Sequence, residues 1–83
     1  MMNVLFVCMG NTCRSPMAAK ILEKKAKEHH IDLQIQSAGI GAVEGFPASE
    51  HARSVIKEYG MDDSHTTQRI NQRLLDWADL VLT

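Results

Sequence analysis

The chain has 83 residues, 45% of them hydrophobic and 23% charged, and a net charge of -1. A chain this short supports one domain, read as residues 1–83, and the near-neutral charge gives no reason to expect nucleic acid or an anionic membrane as partner. Two cysteines are too few for a disulfide scaffold, and no apolar segment suits a signal peptide or a membrane span, so a cytoplasmic chain with free thiols is expected.

Asn3 to Cys8 carries the continuous apolar run Val4 to Val7, the mark of a central strand buried on both faces. Ser15 followed by Pro16 then reads as an N-cap and a first-turn proline. They open a helix to about His29 with Met17, Ala18, Ile21, Leu22 and Ala26 as its apolar stripe. Leu33 to Ala38 alternates like an edge strand, and Gly39 to Pro47 is a loop.

Ala48, Ala52, Val55, Ile56 and Tyr59 fall at helical spacing, with Gly60 placed to end that helix. A polar connection from Met61 to Arg69 leads to a short helix, Asn71 to Ala78, with Ile70, Leu74 and Leu75 facing inward. Leu80 to Leu82 begins a third strand. Strands and helices in alternation imply a parallel sheet with right-handed crossovers, a doubly wound α/β fold.

The stretch VCMGNTCRSP, residues 7–16, joins the first strand to the first helix. Open parallel sheets bind ligands at such a place. Gly10 at positive φ and Asn11, which tolerates it, let the chain curl until the N–H groups from Met9 to Arg14 converge, a nest suited to a tetrahedral oxyanion. The helix start and the Arg14 guanidinium add to that field, and the same field favours the thiolate of Cys8. Ser15 adds a hydroxyl beside the sulfur. These residue types at this spacing point to phosphoryl transfer onto Cys8 and hydrolysis of the resulting phosphocysteine.

VLFVCMGNTCRSPMA resembles the C-x5-R-S signature of the low-molecular-weight protein phosphatases, and the likeness continues through SAG at Ser37 to Gly39 and DLVL at Asp79 to Leu82. The resemblance implies Cys8 as nucleophile, Arg14 as phosphate-binding arginine and Ser15 as leaving-group hydroxyl. The phosphate-binding loop would comprise Met9, Gly10, Asn11, Thr12, Cys13 and Arg14. Asn11, Ser37 and His65 match the residues that hold that loop in its left-handed shape.

The loop is most similar to that of bacterial protein arginine phosphatases, which carry threonine at the position of Thr12, where members acting on phosphotyrosine usually carry isoleucine. Thr12 and the scarcity of aromatics in GIGAVEGFPA, where Phe46 stands alone, favour phosphoarginine over phosphotyrosine on a protein substrate. The family's general acid is an aspartate in an Asp-Pro segment, which this chain lacks, and its fourth strand and closing helix lie past residue 83. A domain truncated before those elements is therefore expected, with the general acid unassigned.

Cys13 alone reads as a packing residue, and its nearness to Cys8 also permits a reversible disulfide that protects the nucleophile. None of His29, His30 or His51 has metal-ligand spacing, so neither a metal nor a cofactor is expected. Two other readings stay open: a thiol-dependent arsenate reductase, which would need a thiol from outside because no cysteine follows Cys13, and a non-catalytic chain that only binds phosphate.

Overall fold

The apolar run Val4 to Val7 becomes the middle of a sheet. The structure, a computed structural model, describes residues 1–12 and 14–83. Along it lie β1 (Met2–Cys8), α1 (Arg14–Glu28), β2 (Leu33–Gly39), α2 (Glu50–Glu58), α3 (Gln72–Trp77) and β3 (Leu80–Leu82). All pairings are parallel and the strand order is β2-β1-β3. β1 matches β2 from Met2 opposite Leu33 to Cys8 opposite Gly39, and β3 from Val4 opposite Leu80 to Phe6 opposite Leu82.

Leu5 and Val7 point to one face and cluster with Ala38 and with Leu74 of α3, bordered by Ile70, Trp77 and Ala78. Alternation sends Val4 and Phe6 to the other face, where Phe6 shares a cavity wall with Ala18 of α1. Helices thus cover both faces, the expected doubly wound α/β arrangement. The chain steps from β1 to β2 on one side and returns to β3 on the other, so the topological switch point lies beyond the carboxyl end of β1, at Cys8.

Several details differ from the periodicity. α1 starts at Arg14, so Ser15 lies inside the first turn instead of capping it, because its hydroxyl is committed to Cys8 and Asn11. The most buried positions of α1 are Ser15, Pro16, Ala19 and Ala26, small or compact side chains that let the helix approach the sheet. At its other end His30 adopts φ 56, and the amides of His30 and Ile31 close onto the carbonyls of Lys27 and Ala26, so the backbone ends the helix.

α2 starts at Glu50 behind the cap Ser49, whose hydroxyl accepts from the Ala52 amide at 3.1 Å. Tyr59 is exposed, not core: it caps α2, its ring lies 5.8 Å from the Lys24 ammonium, and its carbonyl accepts from the same lysine. Leu75 is exposed as well, because α3 turns Leu74 to the sheet, with Trp77 packed beside it. β3 is anchored by Asp79, which accepts from the Asn3 amide at 2.8 Å and donates its own amide to the Asn3 carbonyl at 2.8 Å. The side chains of Leu80, Val81 and Leu82 remain exposed.

Candidate active site

The buried polar residues among those described are Asn11, Ser15, Ser37 and Thr67, and three of them stand directly behind Cys8. Burying such groups is costly unless each finds a partner, and among the described residues no buried side-chain nitrogen or oxygen lacks one. Asn11 holds the cluster together. Its Nδ2 donates to Ser15 Oγ at 2.8 Å and to Ser37 Oγ at 2.9 Å, and its Oδ1 accepts from the Gln68 amide at 2.9 Å. Its own amide donates to Cys8 Sγ at 3.1 Å, and its carbonyl lies 2.8 Å from His65 Nε2.

Asn11 takes the left-handed conformation with φ 57, which asparagine tolerates better than most residues. Gly10, expected to share that conformation, does not: the positive-φ glycines are Gly45 and Gly60. Among the described residues of the turn after β1 the left-handed position is Asn11, which takes it while using every polar group it has.

Cys8 is half-buried at the end of β1, with Ser15 Oγ 2.9 Å from its sulfur. Burial pushes the Cys8 thiol up, but the Ser15 hydroxyl and the backbone amides of Ser15, Asn11 and Gly10 outweigh it, so the net shift is below the ordinary thiol value. Arg14 opens α1 with an exposed side chain and, with Cys8 and Ser15, lines a cavity of about 450 Å3 bounded by Phe6, Met9 and Leu82. No Asp or Glu side chain is among the described residues of that wall.

Thr12 lines a neighbouring hollow of about 470 Å3 with Gly10, Val43 and Phe46. Cys13, expected in the loop and as redox partner of Cys8, lies outside the described residues. The aspartates hold other posts. Asp62 accepts from the Ser64 amide and hydroxyl, which lowers its pKa, Asp63 pairs with Lys57, Asp76 accepts from Gln72, and Asp79 anchors β3.

Two contributors lie outside the expected site residues. Gly39, at the end of β2, allows the loop to lie against its backbone: a Cβ there would meet the Met9 carbonyl oxygen at 2.7 Å and the Asn11 amide at 2.9 Å. The 67–70 segment, read as a polar connection, forms a parallel bridge at Arg69 with Gly39, and Gln68 and Thr67 lock it in place. Thr67 Oγ1 accepts from the Phe46 amide at 2.9 Å and donates to the Val43 carbonyl, stitching the 43–46 loop to the site. The segment is an unbroken polar run, Thr66-Thr67-Gln68-Arg69 before Ile70, and so carries no apolar alternation that would mark it as strand-like.

Among the described residues no group of His, Cys, Asp and Glu is placed to hold a metal ion, and no helix is long and apolar enough to cross a membrane. The pattern of the low molecular weight phosphotyrosine protein phosphatases matches residues 3–83. A protein-arginine-phosphatase of Geobacillus stearothermophilus is 47% identical over 79 residues, covering 95% of this chain and 51% of that protein. A low molecular weight protein-tyrosine-phosphatase of Acinetobacter johnsonii is 43% identical over 81 residues, covering 96% of this chain and 54% of its own length. The crystal structure of a low molecular weight protein tyrosine phosphatase from T. tengcongensis superposes with a TM-score of 0.92 at 51% identity, over 99% of this chain and 57% of that one. The chain thus spans about half the length of the curated relatives it matches. With the signature loop, the sheet order and the match over residues 3–83 in agreement, the chain belongs to the low molecular weight phosphotyrosine protein phosphatase family.

Proposed function

We propose that this chain carries the phosphoryl-accepting half of a cysteine-dependent protein phosphatase. The observation that carries the reading is the environment of Cys8 Sγ, which meets the Ser15 hydroxyl at 2.9 Å and the Asn11 amide at 3.1 Å, with Arg14 on the same cavity. Donors converging on one sulfur favour the thiolate, and the thiolate is the nucleophile. Cys8 attacks phosphorus: an S–P bond forms, the P–O or P–N bond to the leaving group breaks, and that group takes up a proton. Water then attacks the phosphocysteine, the S–P bond breaks, inorganic phosphate departs and the thiolate returns, with Ser15 stabilising the sulfur as leaving group. Arg14 and the loop amides would hold the equatorial oxygens, where negative charge is spread in the transition state.

The substrate is a phosphorylated protein, with phosphoarginine preferred. The relatives support both sides, one being named an arginine phosphatase and another a tyrosine phosphatase. Thr12 and the single aromatic Phe46 at the adjoining hollow support phosphoarginine, since a hydroxyl suits a polar guanidinium and an extra apolar branch would suit a phenol ring. Asn11, Ser37 and His65 act as supports of the loop and not on the substrate.

The test is phosphate release from an activated aryl phosphate and from a phosphoarginine peptide, with Cys8→Ala as control. Release that disappears with Cys8, and a higher rate on phosphoarginine than on phosphotyrosine peptide, is the expected result. Tight binding of phosphate without turnover would reduce the chain to a phosphate-binding module.

A further inference from the structure

We infer that Gln68 is a positioning residue for Cys8: its backbone N–H fixes the orientation of the Asn11 amide, and through Ser15 this aims a hydroxyl hydrogen at the Cys8 sulfur. The inference rests on the reading of Cys8 as the nucleophile. It follows from counting hydrogens along a chain of four groups.

A backbone N–H can only donate, so the atom 2.9 Å from the Gln68 nitrogen must be the Asn11 oxygen and not its NH2. That assignment turns Nδ2 toward the two hydroxyls, Ser15 Oγ at 2.8 Å and Ser37 Oγ at 2.9 Å, and uses both of its hydrogens. Ser15 Oγ, having received a hydrogen from Asn11, keeps its own for Cys8 Sγ at 2.9 Å. Among the described residues the sulfur then faces the Ser15 Oγ–H together with the backbone amides of Asn11, Ser15 and Gly10, all donors that stabilise the charged form.

The opposite orientation shows what Gln68 prevents. With the Asn11 amide turned by 180°, Oδ1 would face Ser15 and Ser37, and Ser15 would donate to it. A lone pair of Ser15 would then point at Cys8, which favours the protonated thiol. Among the described residues the donor that makes this flip unfavourable is the Gln68 N–H, since in the flipped state it would confront the Asn11 NH2.

Gln68 is itself held against movement. Its carbonyl accepts from the Gly39 amide at 2.9 Å, and its side-chain Nε2 donates to the Ser37 carbonyl at 2.9 Å and to Gln36 Oε1 at 3.0 Å. The next turn of the segment is pinned where the Ile70 amide donates to the Gly39 carbonyl at 3.0 Å. A residue outside the signature loop, on a segment without apolar periodicity, therefore sets the hydrogen-bond polarity at the nucleophile.

The test replaces the peptide N–H of Gln68 by an ester oxygen, using the α-hydroxy analogue of glutamine, and leaves every side chain intact. The alkylation rate of Cys8 by iodoacetamide is followed against pH, with the modified thiol located by peptide mapping. The ester should raise the apparent pKa of Cys8 by about one pH unit, a tenfold loss of thiolate at pH values below both midpoints. In a Ser15→Ala background the same ester should produce no further shift, because the route through Ser15 is already cut. Gln68→Ala, which keeps the N–H, should shift the midpoint less than the ester does.

An unchanged midpoint in the ester, or an equal shift with and without Ser15, would overturn the inference. An ordinary thiol profile in the unmodified protein would instead overturn the reading of Cys8 as nucleophile. Should the ester protein fail to fold, NMR of the unmodified chain answers the same question. The Gln68 amide proton and the Asn11 side-chain NH2 should titrate with the Cys8 midpoint and lose that coupling in Ser15→Ala. Resonances that ignore Cys8 titration would refute it.

Discussion

His65 Nε2 lies 2.8 Å from the backbone carbonyl oxygen of Asn11, 54 residues away along the chain. A carbonyl only accepts, so Nε2 carries the hydrogen, and the imidazole ties the connection after α2 to the left-handed Asn11 of the loop. His65→Ala should destabilise the fold by about 1 kcal/mol, the usual net worth of such a bond, and weaken phosphate binding by freeing the loop. His65→Gln, whose Nε2 can also donate, should recover part of both. Denaturant unfolding and calorimetric titration with inorganic phosphate measure the two effects, and equal phosphate affinity in all three proteins would rule out the tie.

Gly39 and Gly10 offer a paired test of what the loop needs. A methyl group at Gly39 would press on the Met9 carbonyl and the Asn11 amide, backbone atoms that cannot rotate away, whereas at Gly10 the nearest atom is Thr12 Oγ1 at 3.5 Å. Gly39→Ala should cost about 1–3 kcal/mol, the range for overpacking, and push the loop off its amide geometry. Gly10→Ala should fold nearly as well as the parent. The melting temperatures of the two variants check this, and similar losses in both would contradict it.

How much of this was legible in the sequence follows from where the atoms lie. β1, the loop and α1 are contiguous, so a short apolar run, a left-handed-tolerant asparagine and a helix start could be read together, and the order β2-β1-β3 agrees with the central and edge strands expected. Gln68 and Gly39 were not legible in the same way. Gln68 acts through its backbone N–H, which every residue but proline possesses, and Gly39 acts through the absence of a side chain at a close approach. The placing of Ser15 as a cap failed because a better partner, the Cys8 sulfur, competes for its hydroxyl. Periodicity places Leu75 inward and Tyr59 on the apolar stripe of α2, yet α3 presents Leu74 to the sheet and Tyr59 ends α2 at the surface, an outcome that spacing alone does not encode.

Cys8 titration should leave a signature in stability as well as reactivity. The folded-state pKa is lowered by the Ser15 hydroxyl and the nearby amides despite burial, so the folded protein releases this proton at lower pH than the unfolded chain. The contribution is fully present above the unfolded thiol value of ~8.5 and is lost as pH falls through the folded value. The stability difference between the parent and Cys8→Ala should therefore grow as pH rises through that window. Urea unfolding at several pH values measures it, and a flat or falling difference would contradict the lowered pKa.

Thr12 lines the hollow beside the loop with Phe46 and Val43, so a larger apolar branch there would extend an existing apolar wall. Thr12→Ile should shift the ratio of turnover on phosphotyrosine against phosphoarginine peptides toward phosphotyrosine by roughly tenfold, the order expected for one added apolar branch in a pocket. Competition between the two peptides at equal concentration measures the ratio. An unchanged ratio would remove Thr12 from the selectivity argument.

The most direct measurement is intact-mass analysis of the chain quenched in acid during turnover of an activated aryl phosphate, followed by peptide mapping. One phosphoryl group is expected on the sulfur of Cys8, accumulating in the parent and absent from Cys8→Ala. A phosphoryl group on another residue, or phosphate release that persists in Cys8→Ala, would contradict the assignment of Cys8 as the acceptor.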